Sequence, residues 1–115
     1  MSATPMSVVK GTLDLLVLRT LSGGREMHGF EILEWITDAT GGSLTLEEGA
    51  LYPALHRLEK RGLLEGDWGV SEKGRRAKYY EITARGRKAL NEQESEWARY
   101  VDVMRKVPAA GGGDV

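Results

Sequence analysis

Apolar residues recur at helical spacing in four segments of the chain and alternate with polar ones in a fifth. Leu13, Leu16, Val17 and Leu21 fall on one helical face, with Thr12 as the cap and Ser22-Gly23-Gly24 as the stop. A second helix is expected from His28 to Ala39, burying Phe30, Leu33 and Ile36 or a neighbouring set, and Thr40-Gly41-Gly42 follows as a loop. Thr45 and Glu48 fit the S/T-x-x-E capping box, which predicts a third helix starting near Thr45. Leu51, Leu55 and Leu58 mark its core face, while Tyr52, His56 and Lys60 share another face. Pro53 conflicts with that start, because an interior proline loses a hydrogen bond and crowds the preceding turn. The regular helix therefore begins later than the box suggests, or bends at Pro53. Gly62 closes it.

After Gly62 the period changes to two. Leu64, Gly66, Trp68 and Val70 alternate with Glu65, Asp67 and Gly69, and Lys78, Tyr80 and Ile82 alternate with Tyr79 and Glu81. Around the polar 71–76 connection these segments make a β-hairpin. Thr83 then caps a last helix running to about Val107. Along it Leu90, Glu94, Trp97, Val101 and Met104 form a heptad-like seam with one acidic interruption. The seam is too short for an independent coiled coil, so a second copy of the chain is the expected cover. The chain divides into a polar lead (1–10), a compact domain (11–83), a dimerisation helix (84–107) and a disordered tail (108–115).

Charge sharpens this picture once it is read by segment. The 115 residues hold 16 Lys+Arg and 17 Asp+Glu, a net charge of −1 that by itself argues against a polyanionic partner. From His56 to Lys88, however, ten basic side chains face five acidic ones, and the remaining residues hold six against twelve. Such a split points to a polyanion for the basic segment, with a merely solvated surface as the bland alternative.

Several classes drop out. With no cysteine there is no disulfide framework, thiolate metal site or cysteine nucleophile, which fits a reducing compartment. No apolar run approaches the length of a membrane span, and Met1 to Lys10 lack the pattern of a secretory signal, so a cytoplasmic location is expected. His28 and His56 belong to no metal-ligand pattern, and no cofactor is expected. The glycines at 69 and 74 have P-loop spacing, but Arg75 and Arg76 stand where Lys-Ser/Thr is required, and the segment joins two strands. No pair of carboxylates has a sheltered setting for acid–base work. An enzyme is not expected.

Three helices followed by a hairpin is the order of a winged helix-turn-helix, a mainly α fold with a two-stranded β-wing. Its third helix offers Tyr52, His56, Arg57 and Lys60 to a DNA groove, and its wing offers Lys73, Arg75, Arg76 and Lys78 to phosphates, which dominate affinity. A ring at Tyr52 packed half-buried on the second helix is the structural alternative. The rival function is a winged helix that tethers another regulatory protein. Four cations around one glycine at the wing tip favour DNA.

The residues also carry a resemblance. Gly11-Thr-Leu-Asp-Leu-Leu16, His28-Gly-Phe-Glu-Ile32, the run from Glu48 through Tyr52-Pro53 to Glu59, and Arg75-Arg-Ala-Lys-Tyr-Tyr-Glu-Ile-Thr83 with Gly86 resemble the PadR family of bacterial transcriptional regulators over about residues 8–105. The short C-terminal part is similar to the family's small subgroup. The resemblance implies a homodimer whose last helix packs on its partner, helped by the first helix, which puts Leu13 and Leu16 with Leu90, Trp97, Val101 and Met104 at the interface. It implies repression through a roughly palindromic double-stranded operator, with DNA-contacting roles for Tyr52, Arg76 and Lys78. It also implies that Pro53 is tolerated.

In some small members of that family a tryptophan on the last helix pairs with its dimer mate and sandwiches flat aromatic ligands. Trp97 occupies the corresponding place, and Glu94 or Glu96 would favour a cationic ligand. The plainer alternative is an interface residue with no ligand. Trp35 and Trp68 are read as packing residues.

Overall fold

The computed structural model describes residues 6–7 and 11–111. The rest of the expected lead and the end of the expected tail, residues 1–5, 8–10 and 112–115, lie outside the described residues. The element order is β1 (Met6–Ser7), α1 (Leu13–Leu21), β2 (Met27–His28), α2 (Gly29–Ala39), β3 (Leu44–Thr45), α3 (Glu48–Lys60), β4 (Leu64–Val70), β5 (Arg76–Ile82) and α4 (Ala84–Met104). This is the expected winged-helix order with its C-terminal helix.

The three N-terminal helices converge on one core. Val17, Leu18 and Leu21 of α1, Ile32 and Ile36 of α2, and Leu51, Leu55 and Leu58 of α3 are buried together, with Tyr80 and Ile82 of the hairpin and Leu90 of α4. On α2 the buried set is Ile32 and Ile36 with Leu33 partly covered, while Phe30 faces outward. Leu13 and Leu16 are partly buried against this same core.

The Thr45 capping box does not form. Leu44 and Thr45 instead pair in parallel with Met6 and Ser7, and Thr45 Oγ1 donates to the Met6 carbonyl at 3.1 Å. That pairing takes the hydroxyl away from the helix, so the cap falls to Glu47 and α3 starts at Glu48. Pro53 is thereby only one turn in, where it forgoes a single bond to the Gly49 carbonyl. A box does form at α2: Glu31 N–H donates to His28 Nδ1 at 3.3 Å, and His28 N–H donates to Glu31 Oε1 at 3.1 Å. The S/T pattern could not reveal a box built on histidine.

Gly62 ends α3 at a φ of 77°, with Gly62 N–H donating to the Glu59 carbonyl and Leu63 N–H to that of Leu58. This double closure brings Leu63 back under the helix and launches β4. β4 and β5 are antiparallel, with Gly66 opposite Tyr80, Trp68 opposite Lys78 and Val70 opposite Arg76. β5 begins two residues earlier than its alternation suggested, and β2 adds a third strand through Met27–Tyr80 and His28–Tyr79 pairs. A two-residue strand is too short to show a period.

Thr83 caps α4 as expected. Its Oγ1 accepts from Gly86 N–H at 3.0 Å and donates to the Gly62 carbonyl at 2.7 Å, fixing the helix to the start of the hairpin. α4 packs on α1 and then runs beyond the core, giving the molecule extents of 63 × 35 × 22 Å. Leu90, expected at a dimer interface, is instead buried in the chain's own core. The acidic interruption also has an intrachain explanation, since Glu94 Oε2 lies 2.7 Å from Arg19 Nε of α1. Both residues fall on the first half of α4, where α1 already covers the stripe. Trp97, Tyr100, Val103 and Met104 follow on the uncovered half and are exposed, with Val101 partly so.

Candidate nucleic-acid interface

An open groove of about 1080 Å³ runs between α2, α3 and the wing. Tyr52 and His56 of α3 line one side, and Lys73, Arg75, Arg76 and Lys78 of the wing line another. Six of the eight sequence-predicted contacts are thus brought together. Lys60 is exposed further along α3 but does not line this groove.

Arg57 points elsewhere. Its guanidinium lies 2.7 Å from Asp14 Oδ1 of α1, and Arg61 approaches the same carboxylate at 3.8 Å. One residue past His56, Arg57 is turned about 100° around the helix axis, which is enough to aim it at α1. It ties two helices of the domain and does not face the groove.

Tyr52 has the half-buried packing weighed for it and still reaches the groove. Its ring rests against Gly29 at the start of α2, yet about half of the residue remains exposed to the groove. Burial, reinforced by the Glu48 carboxylate, pushes its hydroxyl pKa above the usual tyrosine range. The phenol therefore stays protonated and available as a donor across the physiological range.

The wing carries its cations on aromatic supports. Residues 66, 68, 76, 78 and 80 share one face of the hairpin, because partners 66–80 and 68–78 alternate with 67–79. On that face the Arg76 guanidinium stacks over Trp68 at 4.3 Å. Lys78 lies 5.9 Å from the same ring and 5.8 Å from Tyr80. At the tip, Lys73 approaches the Phe30 ring of α2 at 5.8 Å. Trp35 and Trp68, expected to pack inside, stand exposed in the groove instead. Of the two, Trp68 is the one over which charged side chains lie.

Lys78 is different from its neighbours on the wing. Its Nζ donates to Glu59 Oε1 of α3 at 2.7 Å, and that hydrogen bond holds the ammonium pKa above the usual lysine value. Glu59 was not among the predicted site residues, since a carboxylate on a DNA-facing helix has no evident use. Its signal lies in the charge balance of the pair, which only the fold brings together. The α2 wall adds Glu34 and Asp38, so the groove is basic on the wing side and acidic on the α2 side. Among the described residues no cluster of His, Asp and Glu could hold a metal ion, and no helix is long and apolar enough to cross a membrane.

Comparison with known proteins gives the family and the fold. The model of the transcriptional regulator PadR-like family matches residues 17–92. A transcriptional regulator from Clostridium thermocellum has a similar structure, with a TM-score of 0.77 at 31% identity over 87% of this chain and 96% of that one. A PadR family transcription regulator from Clostridium difficile gives 0.70 at 31% identity, over 84% and 97%. In sequence, a transcriptional regulator of Mycobacterium tuberculosis is 40% identical over 68 residues, which span 58% of this chain and 59% of that protein. The family model over residues 17–92, with a fold shared at 31% identity with these regulators, places the chain in the PadR-like family of DNA-binding transcriptional regulators.

Proposed function

We propose that the protein is a homodimeric repressor that reads a roughly palindromic operator, one recognition helix and one wing per half-site. The observation that carries this reading is the convergence of Tyr52 and His56 with Lys73, Arg75 and Arg76 on a single open groove. Groups of α3 that can hydrogen-bond base edges and wing cations that can hold phosphates then act on one stretch of duplex. The arginine stacked on Trp68 is pre-ordered, which lowers the entropy lost when it meets a phosphate.

The second half of α4 supports dimerisation. Trp97 is 45% exposed and Tyr100 60%, with their rings stacked 6.3 Å apart, and Val101, Val103 and Met104 continue the apolar surface. Leu13 and Leu16 pack partly buried against the chain's own core, so the exposed half of α4 carries the proposed interface. A two-fold mate bringing its own Trp97 would also let a flat aromatic effector stack between the rings. Glu94 enters such a site as one half of its ion pair with Arg19.

A mobility shift on duplexes selected from a randomised pool, with sedimentation of the free protein, tests the proposal. The expected result is a dimer that prefers its selected duplex. Absence of any sequence preference below micromolar protein would instead favour a winged helix that tethers another protein. Effector binding has its own test: flat aromatic dyes quench tryptophan fluorescence in the native dimer and fail to do so in a Trp97→Ala dimer.

A further inference from the structure

Lys78 was expected to hold a phosphate, but its surroundings give it another partner. Its ammonium is 2.7 Å from Glu59, and both side chains are about one quarter exposed, at 27% and 26%. The same ammonium lies 5.9 Å from the Trp68 ring and 5.8 Å from that of Tyr80. Opposite Tyr80 stands Gly66, and a Cβ there would lie 2.6 Å from Lys78 Cε, 3.0 Å from Glu59 Oε2 and 3.1 Å from Tyr80 Cε1. The strand thus has no side chain where the pair crosses it. Glu59 lies near the end of α3, and Lys78 lies midway along the wing.

We propose that Glu59 and Lys78 form a strut that fixes the wing's angle to the recognition helix, and that they position the DNA-reading groups without themselves holding phosphate. The inference rests on the DNA-binding reading. Two consequences follow from its chemistry. The strut is neutral, so it releases no counterion from DNA, whereas each phosphate-bound cation contributes about −0.9 to the slope of log K against log salt. A wing held at one angle also loses less freedom when helix and wing bind the same duplex, and favours duplexes whose groove and backbone suit that angle. Lys78 and Glu59 are positioning residues, and the phosphate work falls to Arg75, Arg76 and Lys73.

The experiment measures salt slopes and the ratio of affinities for a pool-selected duplex and a scrambled duplex of equal length. The proteins are the native chain, the double variant Glu59→Ala with Lys78→Ala, and Gly66→Ala, which displaces the pair without altering charge. The expected outcome is a native slope in both variants, with the selected-to-scrambled ratio reduced about tenfold in each, equivalent to about 1.4 kcal/mol. A slope shallower by about 0.9 in the double variant would make Lys78 a phosphate ligand and overturn the proposal. A native ratio in either folded variant would overturn it as well. Failure of the native protein to prefer its selected duplex would strike the DNA-binding reading itself, before any variant is compared.

Discussion

The ring of Tyr52 lies against Gly29 with no space between them: a Cβ at position 29 would stand 2.5 Å from Tyr52 Cε1 and 2.8 Å from Cζ. The first turn of α2, held by the box between His28 and Glu31, is therefore the seat of a groove residue on α3. Gly29→Ala should push Tyr52 out of place, weakening duplex binding about tenfold, as Tyr52→Ala should, or about 1.4 kcal/mol. Titration of duplex binding, with circular dichroism to show that the helices persist, checks this. Native affinity in Gly29→Ala would mean that the position of the ring is immaterial.

Arg57 and Arg76 should separate cleanly although both are exposed arginines on the basic segment. Arg76→Ala removes a groove cation and should flatten the salt slope by about 0.9 on every duplex. Arg57→Ala should leave the slope unchanged and lower stability by about 1 kcal/mol or less, since Arg57 is itself half exposed where it pairs with Asp14. Urea midpoints and salt titrations of the two variants provide the comparison. A flatter slope in Arg57→Ala would return that residue to the DNA face.

Gly86 sets the direction of α4. A Cβ there would meet the Leu63 carbonyl oxygen at 2.1 Å and Ile82 Cγ1 at 2.7 Å, and the carbonyl belongs to backbone fixed by the Thr83 N–H. Gly86→Ala should therefore cost about 3 kcal/mol despite the better helix propensity of alanine. Thermal unfolding measures this, and an unchanged midpoint would show that α4 can shift without penalty.

Alkaline pH should weaken the fold through three groups acting in the same direction. Burial holds Tyr52 and Tyr80 above the ordinary tyrosine value of 10.0, so the folded chain retains phenolic protons that the unfolded chain releases. The hydrogen bond to Glu59 likewise holds Lys78 above 10.5. A raised folded-state pKa gives stability that is fully present below the unfolded value and is lost as pH rises through the folded one. The contribution of these groups should be flat from neutral pH and fall above about pH 10. Urea midpoints along that range test the sign, and a midpoint that rises above pH 10 would contradict it.

Much of the site was legible because its residues repeat at regular spacing. Tyr52 and His56 share a helix face set by the leucines opposite, and the wing cations cluster around Gly74 whatever the packing. Arg57 was misplaced because one helix step from His56 is a change of neighbour that composition cannot express. Trp35 and Trp68 were misplaced because large aromatic rings read as core, and only the fold shows both left outside, Trp68 beneath Arg76 and Lys78.

The net charge of −1 hides a split that the sequence shows by itself. Segment by segment, the sequence itself determined a basic stretch from His56 to Lys88 on an acidic background, together with four helices, a hairpin and their order. Those follow from periodicity, caps and turn residues, which act over a few positions. Tertiary structure alone decided the pairings across long separations: Met6 with Leu44, which moved the start of α3, Arg19 with Glu94, which covered the acidic step on α4, and Glu59 with Lys78. Each depends on where two elements cross in space, and a side chain's charge does not say which neighbour will be near enough to neutralise it.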